Sequence, residues 1–497
     1  MTFQTIFRSC CFVLLIGVLA TAARAQEAKE QEQETEPLGA RQRSAIAHVD
    51  SIGAELKEVN QSIWKWAEVG LDEHKSSQLL QSKLAQAGFK VENGLAGMPT
   101  AFVASFGEGK PVIAILAEYD ALPGLSQQVA PLRLPVEEGK PGHACGHSGL
   151  GTGALGAALA VKKAMDEHRI AGTIRLYGTP AEETVIGKVY MTLNGDFDDV
   201  DICLHWHPGT RNEAWSGSSK ALVSAKFTFD GTAAHASVSP SSGRSALDAV
   251  ELMNVGANFM REHVKEDARM HYVITNGGGA PNVVPPQATV WYFCRADSHG
   301  DVEYNFRWLK DIAEGAAKMT RTELTVKIDT DCHEVVPNSP LSALIAGNMQ
   351  KIGAPKFTDD EKAFARRLQA PLVAQFGKQF ALAIDDRLHR VPTVSKPSKG
   401  STDVGDISWR VPTGGLRTTC LPSESPGHSW QNVASIGSTV GEKGVLFASK
   451  VLAVTALDLL EDPNRIAAAR LDWEGRMKDK KYISFIPDGQ KPPKTIR

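Results

Sequence analysis

The feature that most constrains this chain is an alternation of short apolar runs with helical stretches. Between positions 101 and 208 the runs AFVASFG, PVIAILAEYD, GTIRLYGTP and DVDICLHWHP are bounded by turn residues, and a long helical stretch from 149 to about 168 separates the second run from the third. Parallel strands need a crossover between them, and helices used as crossovers cover the sheet, so this order predicts an α/β layer with a mostly parallel sheet. The pattern changes near Trp215. SAKFTFDG alternates strictly, as a half-exposed antiparallel strand does. A helix from about 244 to 263, the strands HYVITNG and ATVWYFCRA, a helix at 301–319 and the strand ELTVKID complete the order β-α-β-β-α-β of a ferredoxin-like α+β unit. With 497 residues the chain exceeds one compact core. The simplest division is a smaller domain, 217–332, inserted into a larger one formed by 39–216 and 333–497.

The ends read differently. Arg8, an apolar run at 11–20 and the small-x-small triplet Ala23-Arg24-Ala25 make 1–25 a cleavable signal peptide. The run is too short for a stable membrane span. The expectation is an exported protein, periplasmic or secreted. Positions 26–38, rich in Glu and Gln, are expected to be a disordered lead-in. The basic, Pro-rich tail KKYISFIPDGQKPPKTIR is expected to lie on the surface or to fray. A formal net charge of -3 argues against a nucleic-acid partner. Beyond the signal segment only Cys145, Cys203, Cys294, Cys332 and Cys420 remain, too few for a disulfide framework.

Chemistry-bearing residues gather at strand ends and turns, where α/β proteins build sites. GHACGHS (142–148) offers Cys145 and His147 to a metal. TPAEE (179–183) closes a strand; if the strand pattern persists, Glu182 and Glu183 point to opposite sides, one to a metal and one to a proton. LHWHP (204–208) places His205 and His207 on one side of a strand, and either is a ligand candidate. SPGHSW (425–430) brings His428 in from a loop. Together these donors suit zinc or another borderline metal. HExxH is absent. GTGALG (151–156) fits a Gly-rich phosphate loop in letters only, since it does not directly follow a strand; close helix packing explains it better.

GHACGHS, TPAEE, WHP, GTAAHAS, APNVVP, GSTDVGDISW and PGHSW, with IWKWAEVGLDEHKSS and AEYDALPGL, occur in the order that resembles the M20 metallopeptidase and amidohydrolase family, from about 44 to about 460. The likeness is to its amidohydrolase branch, and within that to the p-aminobenzoyl-glutamate hydrolase group. It implies a metal-dependent hydrolase with two divalent ions, zinc or manganese, cleaving an amide bond of a small carboxylate-bearing substrate such as an N-acyl or aminobenzoyl amino acid. It implies Cys145, His147, Glu183, His207 and His428 as ligands, with His205 the runner-up to His207, and Glu182 as general base. Asp120 resembles a carboxylate that supports the site from behind. His235 resembles a His that reaches a neighbouring active site and polarises the scissile carbonyl, and Asn282 and Arg295 resemble substrate-carboxylate binders. The inserted domain resembles a lid and dimerisation domain, so a homodimer or a heterodimer with a related subunit is expected. Ser148 stands where many relatives carry Asp and marks a divergent subgroup. A dipeptidase on the same fold, and a non-catalytic metal- or ligand-binding protein, are the rival readings.

Overall fold

The computed structural model describes residues 37–377, 379–392 and 395–494. The signal-peptide expectation, 1–25, and nearly all of the lead-in lie outside the described residues. Ala40–Arg497 forms one compact unit.

Among the described residues eleven strands make two sheets. The larger contains β1 (Lys90–Asn93), β2 (Phe102–Glu108), β3 (Val112–Ala117), β4 (Gly172–Gly178), β5 (Ile202–Gly209), β6 (Glu213–Trp215) and β11 (Thr413–Thr419), in the order β1-β2-β4-β3-β5-β11-β6. Its centre, β4-β3-β5-β11, is parallel, and the flanking pairs are antiparallel. Every residue of β3 is buried. This explains why VIAILA is continuously apolar: a central parallel strand is covered on both faces. On one face lie the helices His147–His168 and Thr439–Glu461. They pack closely because their contact is built from small residues, and Ser449 Oγ donates to the Gly153 carbonyl at 2.9 Å. A Cβ on Gly153 would stand 2.5 Å from the Trp206 ring, and one on Gly156 would stand 2.7 Å from Ser449. The Gly-rich run is therefore a packing surface inside a helix. On the other face Val189, Val404 and Ile407 share a core with Leu116 and Tyr177.

The smaller sheet contains β7 (Ala221–Asp230), β8 (Arg269–Asn276), β9 (Gln287–Ala296) and β10 (Glu323–Cys332), antiparallel throughout in the order β10-β7-β9-β8. Its helices Ala246–Met260 and His299–Thr320 bury their inner faces against one side of the sheet. Ser245 and Ser298 cap them by accepting from the Asp248 and Asp301 amides. From Ala225 to Asp230 β7 alternates between buried and half-buried positions, as SAKFTFDG predicts.

The described part of the tail lies on the surface, as one of the two expectations has it, and is tied down rather than frayed. Tyr482 Oη donates to Asp406 Oδ1 at 2.8 Å, the Phe485 amide donates to Asp331 Oδ2 at 2.6 Å, and Ile486 is buried. The apolar letters of YISFIP outweigh the lysines and prolines around them, because their burial holds the segment down.

Candidate metal centre

β3 ends at Ala117, and the next turn carries Glu118 and Asp120, both buried. Cys145 and His147 arrive from the turn that opens the long helix. Gly146 between them has φ of +89°, and a Cβ there would meet Pro208 at 2.9 Å, so only glycine lets the thiol and the imidazole turn toward the same space.

Glu182 and Glu183 do not continue the strand. They sit in a 3₁₀ turn, Glu182–Thr184, flanked by Ala181 at φ +57° and Val185 at φ +51°. A left-handed β-branched valine is a costly conformation that persists only where its surroundings impose it. Part of that restraint is Glu73, whose Oε1 accepts from the Ala181 amide at 2.8 Å. The turn corrects the expectation of opposite-facing carboxylates: both glutamates line the same cavity of about 750 Å³.

The structure brings Cys145, His147, Glu183, His207 and His428 together. Cys145 Sγ lies 3.3 Å from His207 Nε2, and His428 Nε2 lies 3.3 Å from Glu183 Oε2. Cys145 with His147 and His207, and Cys145 with Glu183 and His428, are groups whose donor atoms converge as metal ligands do. His428 reaches in from an exposed loop with φ of +54°. His147 Nδ1 stands 2.8 Å from Asp120 Oδ1, and the other oxygen of Asp120 accepts from the Glu183 amide at 2.9 Å. One carboxylate thus orients two donors at once and leaves His147 Nε2 to face the other donors, with Glu118 Oε2 3.4 Å away.

His205 and His207 part company. Both line the cavity, but His205 packs edge-on against Trp215, ring centroids 4.5 Å apart, over Gly415, where a Cβ would stand 2.0 Å from its Nε2. His207 joins the donor cluster. Arg295, from β9, lines the cavity with its Nε buried and unpartnered. His235 and Asn282 are not brought to the cluster. They lie exposed on adjoining loops of the smaller sheet, where the Ala236 amide donates to the Asn282 carbonyl at 2.9 Å.

A second set of residues was given no role by the sequence, although Glu118 and Asp403 fall within AEYDALPGL and GSTDVGDISW. Lys188, fully buried on the helix Gly187–Leu193, donates to Asp403 Oδ1 at 2.6 Å and contacts Glu118 Oε1 at 2.8 Å. A glutamate after a strand and a lysine in a helix ordinarily read as solvated groups.

The donor chemistry fits a divalent metal. His147 Nε2 and Glu183 Oε1 are buried with no hydrogen-bond partner among the described residues. Native proteins rarely leave such atoms unmatched without an ion or water to meet them. Burial, then the charge on Glu183, pushes the Cys145 thiol up; burial pushes Glu183 up to about 8, against the pull of His147. Burial, then His147, pushes His207 down to about 4 and leaves it neutral, with a lone pair to give.

Fold and site define a hydrolase acting on amide bonds, built on an α/β layer with a candidate metal centre at its strand ends. Residues 114–433 match the model of peptidase family M20/M25/M40, and the chain belongs to that family. It is 39% identical over 468 residues, 89% of this chain and 97% of the relative, to a subunit of the p-aminobenzoyl-glutamate hydrolase of Escherichia coli. It is 26% identical over 459 residues, 89% of this chain and 94% of the relative, to Xaa-Arg dipeptidase of Mus musculus. Among solved structures it resembles a dinuclear metal-binding M20 peptidase of Bacillus subtilis, with a TM-score of 0.53 at 17% identity, covering 83% of this chain and 99% of that one.

Proposed function

We propose that the protein is a two-metal amidohydrolase that cleaves a small N-acyl amino acid with a free carboxylate, of the p-aminobenzoyl-glutamate type. The observation that carries this is the convergence of Cys145, Glu183, His207 and His428, with Glu182 beside them, on one cavity that Arg295 also lines, with His147 buried directly behind them. The substrate class draws on the 39% identity to the E. coli relative. A thiolate-containing donor set favours zinc over manganese. Two ions held there would polarise the scissile carbonyl and lower the pKa of a water.

The chain's own residues do the rest. Glu182 Oε2 stands 3.9 Å from His147 Nε2. Burial, then Glu118, pushes its carboxyl well up. A base with a raised pKa can take the proton of an attacking water and hand it to the leaving nitrogen. The Arg295 fork would hold the substrate carboxylate. His235 would polarise the carbonyl from a partner subunit, with Asn282 beside it; their exposure away from this chain's own cluster supports that reading. The partner would seat on the smaller sheet, read as the lid and dimerisation domain 217–332, where edge strand β8 exposes Val273 and Ile274 and the neighbouring helix exposes Val255 and Phe259. The name of the E. coli relative leaves two partners open, a second copy of this chain or a different, related subunit. No helix among the described residues is long and apolar enough to cross a membrane. We read the N-terminus as an export signal on the strength of Ala23-Arg24-Ala25, and sequencing the mature N-terminus tests it.

The deciding experiment assays p-aminobenzoyl-glutamate, N-acyl amino acids and dipeptides beside metal analysis. Glu182→Gln is expected to cut kcat by about 10²-fold or more while the metal content stays at the wild-type level. Turnover near wild type in that variant would remove Glu182 as base, and a preference for dipeptides would favour the dipeptidase reading.

A further inference from the structure

Glu118 is buried, and its two oxygens have different fates. Oε1 is 2.8 Å from Lys188 Nζ, and Oε2 has no hydrogen-bond partner among the described residues. Oε2 lies 3.4 Å from His147 Nε2, itself unpartnered. Two ligand atoms of one tetrahedral ion, with bonds of ~2.1 Å, stand about 3.4 Å apart. Glu118, His147 and Glu182 also form a convergent donor group.

The arrangement behind Glu118 is built. Lys188 is fully buried, its amide donates to Asp403 Oδ2 at 2.9 Å and its ammonium donates to Asp403 Oδ1 at 2.6 Å. Asp403 thus grips the backbone and the side chain of the same residue, which fixes where Nζ stands. Burying a lysine and two carboxylates is expensive, and a well-packed apolar trio would be as stable or more so. The charged trio makes sense if it holds one carboxylate in a pose that an apolar trio could not.

We propose that Glu118 supplies a further oxygen ligand to the ion at His147, and that Lys188 and Asp403 are positioning residues that clamp its far oxygen so that the near one faces the ion. This rests on the reading of the cluster as a metal centre. In this arrangement Lys188 balances Glu118 and Asp403 without touching Cys145, His147, Glu183, His207 or His428.

The test uses the full-length holoenzyme with Glu118→Gln, Glu118→Ala, Lys188→Met and Lys188→Arg, measuring zinc stoichiometry and affinity by chelator competition beside thermal unfolding. Glu118→Ala is expected to weaken one ion by roughly 10- to 100-fold and leave the other unchanged. Lys188→Met should move affinity the same way, and Lys188→Arg should restore most of it. Wild-type affinity in Glu118→Ala and Lys188→Met, with only the melting temperature lowered, would make the trio structural and overturn the proposal. Should those variants fail to fold, a crystal structure of the zinc-loaded wild type decides: Glu118 Oε2 within about 2.3 Å of an ion supports it, and beyond about 3 Å overturns it. A wild type that binds no zinc overturns the metal-centre reading as a whole. A wild type with two ions and an indifferent Glu118 overturns this inference alone.

Discussion

As ligands of a metal, Cys145 and Glu183 would meet it as acids that must first lose their protons. Glu183 is pushed up to about 8 by burial, and Cys145 is pushed up by burial and by Glu183. Metal binding then releases protons, so affinity rises with pH and weakens as pH falls below about 8. The metal-free protein runs the other way. Its folded state holds a proton on Glu183 between 4.5 and about 8 that the unfolded chain has released, so this group's contribution to stability falls as pH rises through that window. Competition titrations across about pH 6 to 9 check the first expectation, and melting of the metal-free protein over the same range checks the second. A pH-independent affinity would mean that the cluster is already ionised. At this scale the sequence was legible where a residue type is rare in a loop, as with Cys145 and His147. The pairing of Glu118 with Lys188 was not legible, because the two stand far apart in the chain and a lysine in a helix ordinarily faces solvent.

Short elements give these residues their directions. The turn Gly142–Ser148 works because Gly146 takes a left-handed backbone and a Cβ there would stand 2.9 Å from Pro208. Gly146→Ala is expected to cost about 1–3 kcal/mol of stability and to lower zinc content, since Cys145 and His147 can no longer face one point together. Thermal melts with metal analysis measure both, and a variant with full zinc and an unchanged melt would show that the loop relaxes freely. The TPAEE segment shows where element-level reading stopped. Strand periodicity predicted carboxylates on opposite sides, but left-handed Ala181 and Val185 curl the chain into a turn that aims both inward. Local propensity opposes that backbone at a valine. Its support comes in part from Glu73, more than a hundred positions earlier in the chain, which no local reading includes.

At the scale of the whole molecule, His235 and Asn282 belong to the smaller sheet and stand exposed away from this chain's cluster. If a second copy completes the site, two dead variants should rescue each other. Glu182→Gln and His235→Ala, each inactive alone, are expected to recover roughly a quarter of wild-type activity on mixing, because about half of the dimers then carry one intact site. No recovery in a verified mixed dimer would mean that His235 does not act on the partner's site.

The order of strands and helices and the change from continuous to alternating apolar pattern near Trp215 were determined by the sequence alone, because periodicity is a local property, while the candidate donors were drawn from residue chemistry together with the family likeness. Which histidine of LHWHP joins the cluster, the inward turn of Glu182 and Glu183, the docking of the tail and the burial of Lys188 between Glu118 and Asp403 were decided only by the tertiary structure. Each depends on contacts between segments far apart in the chain. Burial and hydrogen-bond satisfaction, unlike periodicity, exist only once those segments meet.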